Sequence, residues 1–471
     1  MIEITVSDIV EATGARPVCG DMSRACRGCA IDSRKAGRDA IFVAFPGERV
    51  DGNAFAGAAL EAGAGCVVMT ADAPEGVRVA AEERGAAIVR TDDPTAFMLD
   101  LASWWRDRLD ARVVGITGSI GKTTTKDVLT ALLARRYRVH ATSGNFNNLI
   151  GLPLTVLSAP RDTEVLVVEM GMDGRGQIER LSRCARPDLA VITKVGTSHI
   201  GMLGSRENIA RAKAEIVAGM RAGSGVLVMG ASDDYFAFIR DGFAAPAGIE
   251  VVACGSGDGC DVTVSGIELG ADGCPSFDVA FADGARIFTR LAVPGAQAVI
   301  NAVYAAAVAH RMGVEPCEID AAFGSLELTA RRVDVRRAAS GARVIDDSYN
   351  AAPESVAAGL DLLCSLPCEG SRVAVLGEMG ELGEESARLH ALTGAYAAAK
   401  KLSLLVCVGG DAARSMAGAA RMLGMSDDAV QVMDDTDAAI AALADAFGPK
   451  DLVLVKGSRF VGLDRLVEEV C

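Results

Sequence analysis

The chain has 471 residues, enough for about three domains and a large buried core. Its formal net charge of −15 excludes a broad basic surface for nucleic acid, so an anionic ligand needs a local basic pocket. Met1–Ile4 is not a basic region leading into an apolar run, and no uncharged apolar run of about 18 residues occurs. We therefore expect a cytoplasmic protein without a membrane span.

The first hundred residues mix short strands with helical segments. Ala40–Ala44 is predicted to be a buried strand and Ala54–Ala62 a helix. Cys26 and Cys29 form a Cys-x-x-Cys pair, but the second ligand pair that a zinc site needs does not follow. We interpret these two thiols, like the rest of the thirteen cysteines, as reduced and without a metal-binding role.

A phosphate-binding loop is predicted between strand Arg112–Thr117 and a helix that begins near Lys122. Glycines let the loop turn several N–H groups toward one phosphate, and the helix N-terminus adds partial positive charge. Lys122 is expected to reach the β- and γ-phosphates, and Thr123 to ligate Mg²⁺. Ile116 stands where the strict pattern has glycine, so a turn that binds nothing is the alternative. The loop residues are Thr117, Gly118, Ser119, Ile120, Gly121, Lys122, Thr123 and Thr124.

Further strands alternate with helices, which predicts an α/β fold with a mostly parallel sheet covered on both faces. Short, Gly-interrupted strands around 250–292 predict an antiparallel insertion before a helix near Ala298–Arg311. From about residue 330 a second alternation predicts a Rossmann-like domain. We place a small α/β domain at 1–107, a central ATP-binding domain at 108–328 and the last domain at 329–471. The predicted strands are Val165–Val168, Ala190–Thr193, Val226–Met229, Val344–Ile345, Val373–Leu376, Leu404–Val408 and Leu452–Val455.

Two polar residues are expected at the carboxyl edge of the central sheet, where parallel sheets bind ligands. Glu169 ends an apolar strand and is a candidate Mg²⁺ ligand, the alternative being a solvated carboxylate. His199 is predicted to end the strand that includes Lys194, and its place at this edge favours a functional role. Lys213 lies in a helix and, taken alone, is an ordinary surface lysine.

Together these motifs resemble those of the Mur ligases, which add amino acids to the peptidoglycan precursor. The resemblance covers nearly the whole chain and implies a ligase that uses ATP and Mg²⁺, with small-molecule substrates and a monomeric state. The segments of the last domain are similar to the branch that joins D-Ala-D-Ala to UDP-N-acetylmuramoyl-tripeptide. Besides the loop, the matching segments are Gly144–Asn148, Glu169–Gly171, Gly196–Gly204, the Lys213 helix, Asp346–Ala351, Leu376–Gly383 and Lys456–Arg459.

The resemblance also implies roles for individual residues. The first domain would hold the UDP end of the substrate, the second ATP and the third the dipeptide. Lys122, Glu169, His199 and Lys213 would be catalytic, and Thr123 would join the last three as metal ligands, Lys213 as an anionic carbamate. Asn301, Arg332 and Asp347 would join the loop in binding nucleotide. The implied substrate contacts are Ser33, Arg34, Phe45, Gly47, Asp51, Asn145, Asn148, Asn350, Lys456 and Arg459.

Two other functions stay open at this point. A sister ligase that adds a single amino acid is disfavoured by the segment Asp347–Asn350. A non-ligating ATP-binding partner subunit is disfavoured because the four implied catalytic residues are all present. The positions that depart from the family pattern remove no implied metal or phosphate ligand, but they bear on the adenine and dipeptide contacts. They are Asn53, Gly201, Gln297, Ala330–Arg332 and Ala352.

Overall fold

A computed structural model of the chain describes residues 1–47, 50–326 and 333–471. Three larger β-sheets covered by helices account for most of the described part, beside a two-stranded sheet of Glu3–Thr5 and Ala25–Arg27. In the described ranges we find no helix with the length and apolar character needed to cross a membrane.

The first sheet has five strands, of which four are parallel and the edge strand Arg16–Cys19 is antiparallel. Its strand order is Arg16–Cys19, Ala87–Arg90, Cys66–Met69, Ile41–Val43 and Cys29–Ala30. The predicted strand at 40–44 is therefore confirmed. The helices of this part are Val6–Thr13, Ala56–Glu61, Glu75–Glu83 and Pro94–Arg106.

Helix Pro94–Arg106 joins the first sheet to the central one. It packs on helix Gly151–Ser158 and buries the full side chain of Trp105. The Ile2 N–H also donates to the carbonyl of Leu157 at 2.7 Å. One continuous apolar core therefore runs from the first sheet into the central one.

The central sheet has nine strands. Its order is Arg286–Arg290, Pro275–Phe281, Val262–Leu269, Glu250–Gly255, Val226–Gly230, Leu189–Ile192, Arg112–Thr117, Val165–Glu169 and Val139–Ala141. Helices cover it, as predicted for a parallel sheet of buried apolar strands. They are Lys122–Leu133, Gly151–Ser158, Gln177–Ala185, Ile200–Leu203, Arg206–Ala214, Phe236–Ile239, Gln297–Arg311 and Pro316–Phe323.

The strands between 250 and 292 differ in part from the prediction. Val262–Leu269, Pro275–Phe281 and Arg286–Arg290 do form antiparallel pairs. They are not an insertion, however, because Glu250–Gly255 pairs in parallel with Val226–Gly230 and carries them into the same sheet. The Gly-interrupted hairpins are thus one edge of the central sheet.

The last α/β unit, residues 333–471, contains a six-stranded sheet. Its order is Asp334–Arg337, Arg343–Asp346, Leu452–Lys456, Arg372–Gly377, Leu404–Val408 and Val430–Met433, with only the first strand antiparallel. Its helices are Pro353–Ser365, Ser386–Ala399, Asp411–Met422, Thr436–Leu443 and Asp464–Val470. Two edge strands of this sheet, 334–337 and 430–433, were absent from the prediction. The predicted boundary at 328 lies outside the described residues.

Candidate active site

A cavity of about 1030 Å³ lies between the carboxyl edge of the central sheet and the last α/β unit. It brings together most of the residues predicted in those two parts of the chain. They are Ser119, Ile120, Gly121, Lys122, Thr123, Thr124, Asn145, Glu169, His199, Asn301, Asp347, Asn350, Lys456 and Arg459. Thr117, Gly118, Asn148 and Lys213 do not line it, and Arg332 lies outside the described residues.

The predicted phosphate loop has the backbone that its glycines require. Gly118 and Gly121 have φ of +149° and +84°, which favour glycine. A Cβ at Gly121 would lie 2.5 Å from Oδ1 of Asn301, which places this predicted nucleotide-binding residue directly against the loop. Helix Lys122–Leu133 begins there, and no described side chain caps it. Its first N–H groups are thus available for an anion.

The candidate metal ligands Thr123 and Glu169 are in direct contact. The Thr123 hydroxyl donates to Oε2 of Glu169 at 2.9 Å, and the amide of Asn147 donates to Oε1 at 2.8 Å. Glu169 is only 2 % exposed, and no Lys, Arg or His of the described chain pairs with it. A buried carboxylate without a countercharge, beside a hydroxyl, is an all-oxygen donor pair of the kind Mg²⁺ prefers.

Asn147 was not singled out by the sequence, although it lies in the matching segment Gly144–Asn148. The predicted substrate contact Asn148 does not line the cavity, and its Oδ1 accepts from the N–H of Gly151 at 2.8 Å at the start of helix Gly151–Ser158. Two adjacent asparagines therefore have separate tasks, one at the carboxylate and one at a helix end. Which asparagine faces Glu169 depends on the tertiary fold, so the pattern alone could not assign it.

The prediction that His199 ends a strand is wrong. The strand ends at Ile192, and His199 is the last residue of the loop 193–199, which we call the histidine loop. His199 has φ of +65° and precedes the short helix Ile200–Leu203. The loop still brings its ring to the cavity, so the predicted location holds although the predicted element does not.

His199 contacts Glu381 of the last α/β unit. Its Nδ1 lies 2.6 Å from Oε2 of Glu381. The backbone of Glu381, like that of His199, has a positive φ, +64°. The hydrogen-bonding interaction with His199 lowers the pKa of the Glu381 carboxyl against the effect of burial, and the charge of Lys122 adds to this. Two non-glycine residues in left-handed conformations thus meet at the contact between the central sheet and the last unit.

His390 supports the loop that carries Glu381. Its Nε2 accepts from the N–H of Met379 at 2.8 Å, and its Nδ1 donates to the carbonyl of Ser386 at 2.8 Å. Burial lowers the pKa of His390, so the ring is neutral at pH 7 and keeps Nε2 as an acceptor. The strained backbone at Glu381 is therefore held from inside the last unit.

Lys213 is a buried lysine, not the surface lysine that its helix suggested. Helix Arg206–Ala214 places the side chain inside the fold with 1 % exposure. Burial, and then the charge of Lys122, lower its pKa well below the usual value for lysine. Among the described residues no carboxylate forms an ion pair with it. Burial without a carboxylate partner therefore favours the neutral, nucleophilic form of this amine over the charged one.

Three predicted residues of the last unit form one cluster at the ends of neighbouring strands. The Lys456 ammonium lies 2.5 Å from Oδ2 of Asp347 and donates to the carbonyl of Asn350 at 3.0 Å. The lysine is thus paired with an internal carboxylate. Arg459 follows the same strand, lines the cavity and is exposed. Of the two cations, Arg459 is therefore the one that is exposed at the cavity.

The predicted contacts of the first domain do not line the cavity. They are Ser33, Arg34, Phe45, Gly47 and Asp51, which follow strands of the first sheet at its carboxyl edge. Arg34 is 87 % exposed at the side chain and pairs with Asp32 at 2.8 Å. Asn53 bonds Thr70 through both amide atoms and so joins two of the loops at that edge.

Besides Asn53, three of the departures from the family pattern lie in described parts of the chain. Gln297 lines the cavity near Asn301, and Ala352 precedes helix Pro353–Ser365. Gly201 lies against Gly383, as described below. Ala330–Arg332 lies outside the described residues. The thirteen cysteines are free thiols, and burial raises the pKa of Cys29 to about 12. In the described ranges no three His, Cys, Asp or Glu residues are grouped for a metal ion.

We expect Gly201→Ala to separate the last unit from the central sheet. A Cβ at Gly201 would lie 2.5 Å from the N of Gly383, and the N–H of Gly201 donates to the carbonyl of Glu381 at 3.0 Å. Because backbone atoms face each other here, the contact must open. Steady-state ligation rates should fall about 10- to 100-fold with little change in Tm.

Gly418→Ala is the matched control for this substitution. It adds the same methyl group to a helix of the last unit where nothing lies within 4 Å. Unchanged rates are expected for this variant. A Gly201→Ala enzyme with wild-type rates would contradict the contact.

Comparison with known proteins assigns the chain to a family. The model for the "Mur ligase middle domain" matches residues 116–309, that for the "Mur ligase, glutamate ligase domain" 331–459, and that for the "Mur ligase family, catalytic domain" 26–106. The chain belongs to the Mur ligase family, and the family prediction is confirmed.

Individual members of the family show which of its branches the chain is similar to. The chain is 34 % identical to the UDP-N-acetylmuramoyl-tripeptide–D-alanyl-D-alanine ligase of Bacillus subtilis, over 100 % of this chain and 99 % of the relative. The crystal structure of MurF from Acinetobacter baumannii superposes with a TM-score of 0.87 at 28 % identity, covering 100 % and 99 % of the two chains. MurF from Thermotoga maritima in complex with ADP gives 0.79 at 27 %, covering 94 % and 96 %. The predicted α/β fold class is confirmed.

Proposed function

We propose that this enzyme joins D-alanyl-D-alanine to UDP-N-acetylmuramoyl-tripeptide, using ATP and Mg²⁺. One observation carries the proposal. A phosphate loop with Lys122 and the Thr123–Glu169 pair share one cavity with the Asp347–Lys456 cluster of the last unit. The loop that would bind the nucleotide and the last unit, to which the resemblance assigns dipeptide binding, therefore line the same cavity. The relatives that bear this activity in their names match the chain over nearly its full length.

The proposed reaction requires activation of the substrate carboxylate. A carboxylate does not react with an amine at neutral pH, whereas an acyl phosphate has a good leaving group. Lys122 and the N–H groups of the loop hold the γ-phosphate of ATP while the tripeptide carboxylate attacks it and ADP leaves. The free amine of D-Ala-D-Ala then attacks the acyl carbon, loses a proton and expels phosphate. Domain closure brings the two halves of the cavity together.

Thr123 and Glu169 would hold one Mg²⁺, and Asn147 would orient the carboxylate for it. When bound, the ion supplies charge neutralisation and orientation of the phosphates. His199 and Lys213 would serve a second ion, Lys213 as a carbamate. The buried amine of Lys213, whose pKa is lowered, suits that modification, because only a neutral amine attacks CO₂ to give the carbamate and a proton. The carbamate turns a repelling cation into an oxygen ligand.

The UDP end of the substrate is assigned to the carboxyl edge of the first sheet. Supporting this, the predicted residues Ser33, Phe45 and Asp51 follow neighbouring strands there, and Arg34 is exposed beside them. Arg459 would meet the carboxylate of the dipeptide in the last unit. The proposed domain bounds are 1–107, 108–328 and 329–471. The enzyme acts as a monomer. It works in the cytoplasm, where ATP and the nucleotide-linked substrate are found.

The proposed function is tested by giving the purified enzyme ATP, Mg²⁺ and UDP-N-acetylmuramoyl-tripeptide with either D-Ala-D-Ala or single amino acids. Phosphate release is expected only with the dipeptide, together with a product heavier by one dipeptide minus water. Release with a single amino acid instead would assign the chain to a sister ligase. ATP binding without release under any condition would assign it to a non-ligating partner subunit.

A further inference from the structure

Glu354 makes a contact that the mechanism above does not use. It lies in the first turn of helix Pro353–Ser365 in the last unit and lines the cavity. Its Oε1 accepts from the N–H of Thr197 at 2.8 Å, and its Oε2 accepts from the Thr197 hydroxyl at 3.1 Å. Both carboxylate oxygens thus bind one residue of the histidine loop.

The same loop is bound on its other side to the phosphate loop. The N–H of Gly196 donates to Oγ of Ser119 at 2.9 Å, and the Ser198 hydroxyl donates to the Ser119 carbonyl at 3.3 Å. A Cβ at Gly196 would lie 2.8 Å from Oε1 of Glu354 and 3.2 Å from Cβ of Ser119. The backbone at Gly196 therefore separates Glu354 from the phosphate loop with no room for a side chain.

Glu354 has no cationic partner that would explain its position. Across the described ranges no Lys, Arg or His forms an ion pair with it. It lies in the first turn of a helix, where the helix dipole interacts favourably with a carboxylate, and a carboxylate makes stronger hydrogen bonds than a neutral acceptor. The histidine loop is therefore the only described group that binds this charge.

We propose that Glu354 is a positioning residue that docks the last unit on the histidine loop and so fixes its distance from the phosphate loop. It touches no reacting atom and acts through Thr197 and His199. This inference rests on the proposed ligation, because docking matters only if the dipeptide amine must reach a carboxylate activated at the phosphate loop. Undocked enzyme would still bind ATP.

The test compares Glu354→Ala and Glu354→Gln in the full-length enzyme. Loss of two charge-assisted bonds in Glu354→Ala should lower kcat for ligation about 10- to 100-fold, with the Kd for ATP within about twofold of wild type. Glu354→Gln should recover most of kcat, since its oxygen still accepts from the Thr197 N–H and its amide donates to the hydroxyl. Glu369→Ala, which removes an exposed carboxylate of the same unit, should leave kcat unchanged.

A double-mutant cycle with Thr197→Val separates docking from general damage. Thr197→Val should lower kcat in the wild-type background and have little further effect in Glu354→Ala. Small-angle scattering with a non-hydrolysable ATP analogue should show a larger radius of gyration for Glu354→Ala than for wild type.

The inference would be overturned by unchanged kcat and scattering in Glu354→Ala, or by additive effects of the two substitutions. Loss of ATP binding in Glu354→Ala would also overturn it, by showing a structural role. If wild-type enzyme ligates nothing, the proposed function fails, while scattering still decides whether Glu354 docks the last unit.

Discussion

Lys122→Ala should lower ligation at least about 10³-fold while the protein stays folded. The Lys122 ammonium lies over the phosphate loop, donating to the Gly118 carbonyl, and no described side chain caps the helix that begins there. Charge on the γ-phosphate grows most in the transition state, so removal of the ammonium affects the chemical step more than binding. Phosphate release under saturating substrates measures the effect.

Lys122→Met serves as the control for side-chain packing in this experiment. Its side chain has a similar length without charge, so it should be as inactive as the Ala variant and keep the wild-type Tm. Turnover of Lys122→Met within tenfold of wild type would contradict the assigned role. Unfolding of both variants would instead give Lys122 a structural role.

Lys213→Met should be more stable than wild type and nearly inactive. The buried amine of Lys213 has no described carboxylate partner, and its pKa is lowered, so the folded chain holds this proton less tightly than the unfolded chain. This position therefore reduces the free energy of unfolding at pH 7, and the reduction fades as pH rises toward about 10. Methionine removes the penalty, and denaturant titrations at pH 7 and pH 9 should show a larger gain at pH 7.

Activity of Lys213→Met should fall by about 10²-fold or more, because Lys213 as a carbamate is the proposed oxygen ligand of a second Mg²⁺. For the same reason, wild-type enzyme kept in CO₂-free buffer should lose activity and regain it with bicarbonate. Bicarbonate should not restore Lys213→Met. A fully active Lys213→Met enzyme, or a wild type insensitive to CO₂ removal, would show that no carbamate forms.

The sequence predicted features whose cause is local. The phosphate loop requires glycine at particular backbone angles, so Gly118 and Gly121 identify it within a few residues. Strands buried on both faces, such as Val165–Glu169, are continuous apolar runs and were found nearly to the residue. Fold class and most of the cavity followed from these two signals and from the family resemblance.

Features set by tertiary packing were missed. Nothing in the sequence around Lys213 indicates burial, which arises from how its helix lies on the sheet. The edge strand Asp334–Arg337 is largely exposed and polar, so it lacks the apolar run that marks a central strand. The sequence places the loop that carries His199 in a strand because Val195 follows the apolar run closely, beyond the true strand end at Ile192. Glu381 and Glu354 matter through contacts between parts of the chain far apart in sequence.

The central claim is that this enzyme activates a carboxylate by phosphorylating it. Transfer of an oxygen atom from the substrate to phosphate tests this claim most directly. The terminal carboxylate of UDP-N-acetylmuramoyl-tripeptide is labelled with ¹⁸O on both oxygens, and the reaction is run with ATP, Mg²⁺ and D-Ala-D-Ala. Each turnover should place one ¹⁸O in the released phosphate and leave one in the new amide, as read by mass spectrometry. Phosphate without ¹⁸O, formed alongside ligated product, would contradict the account.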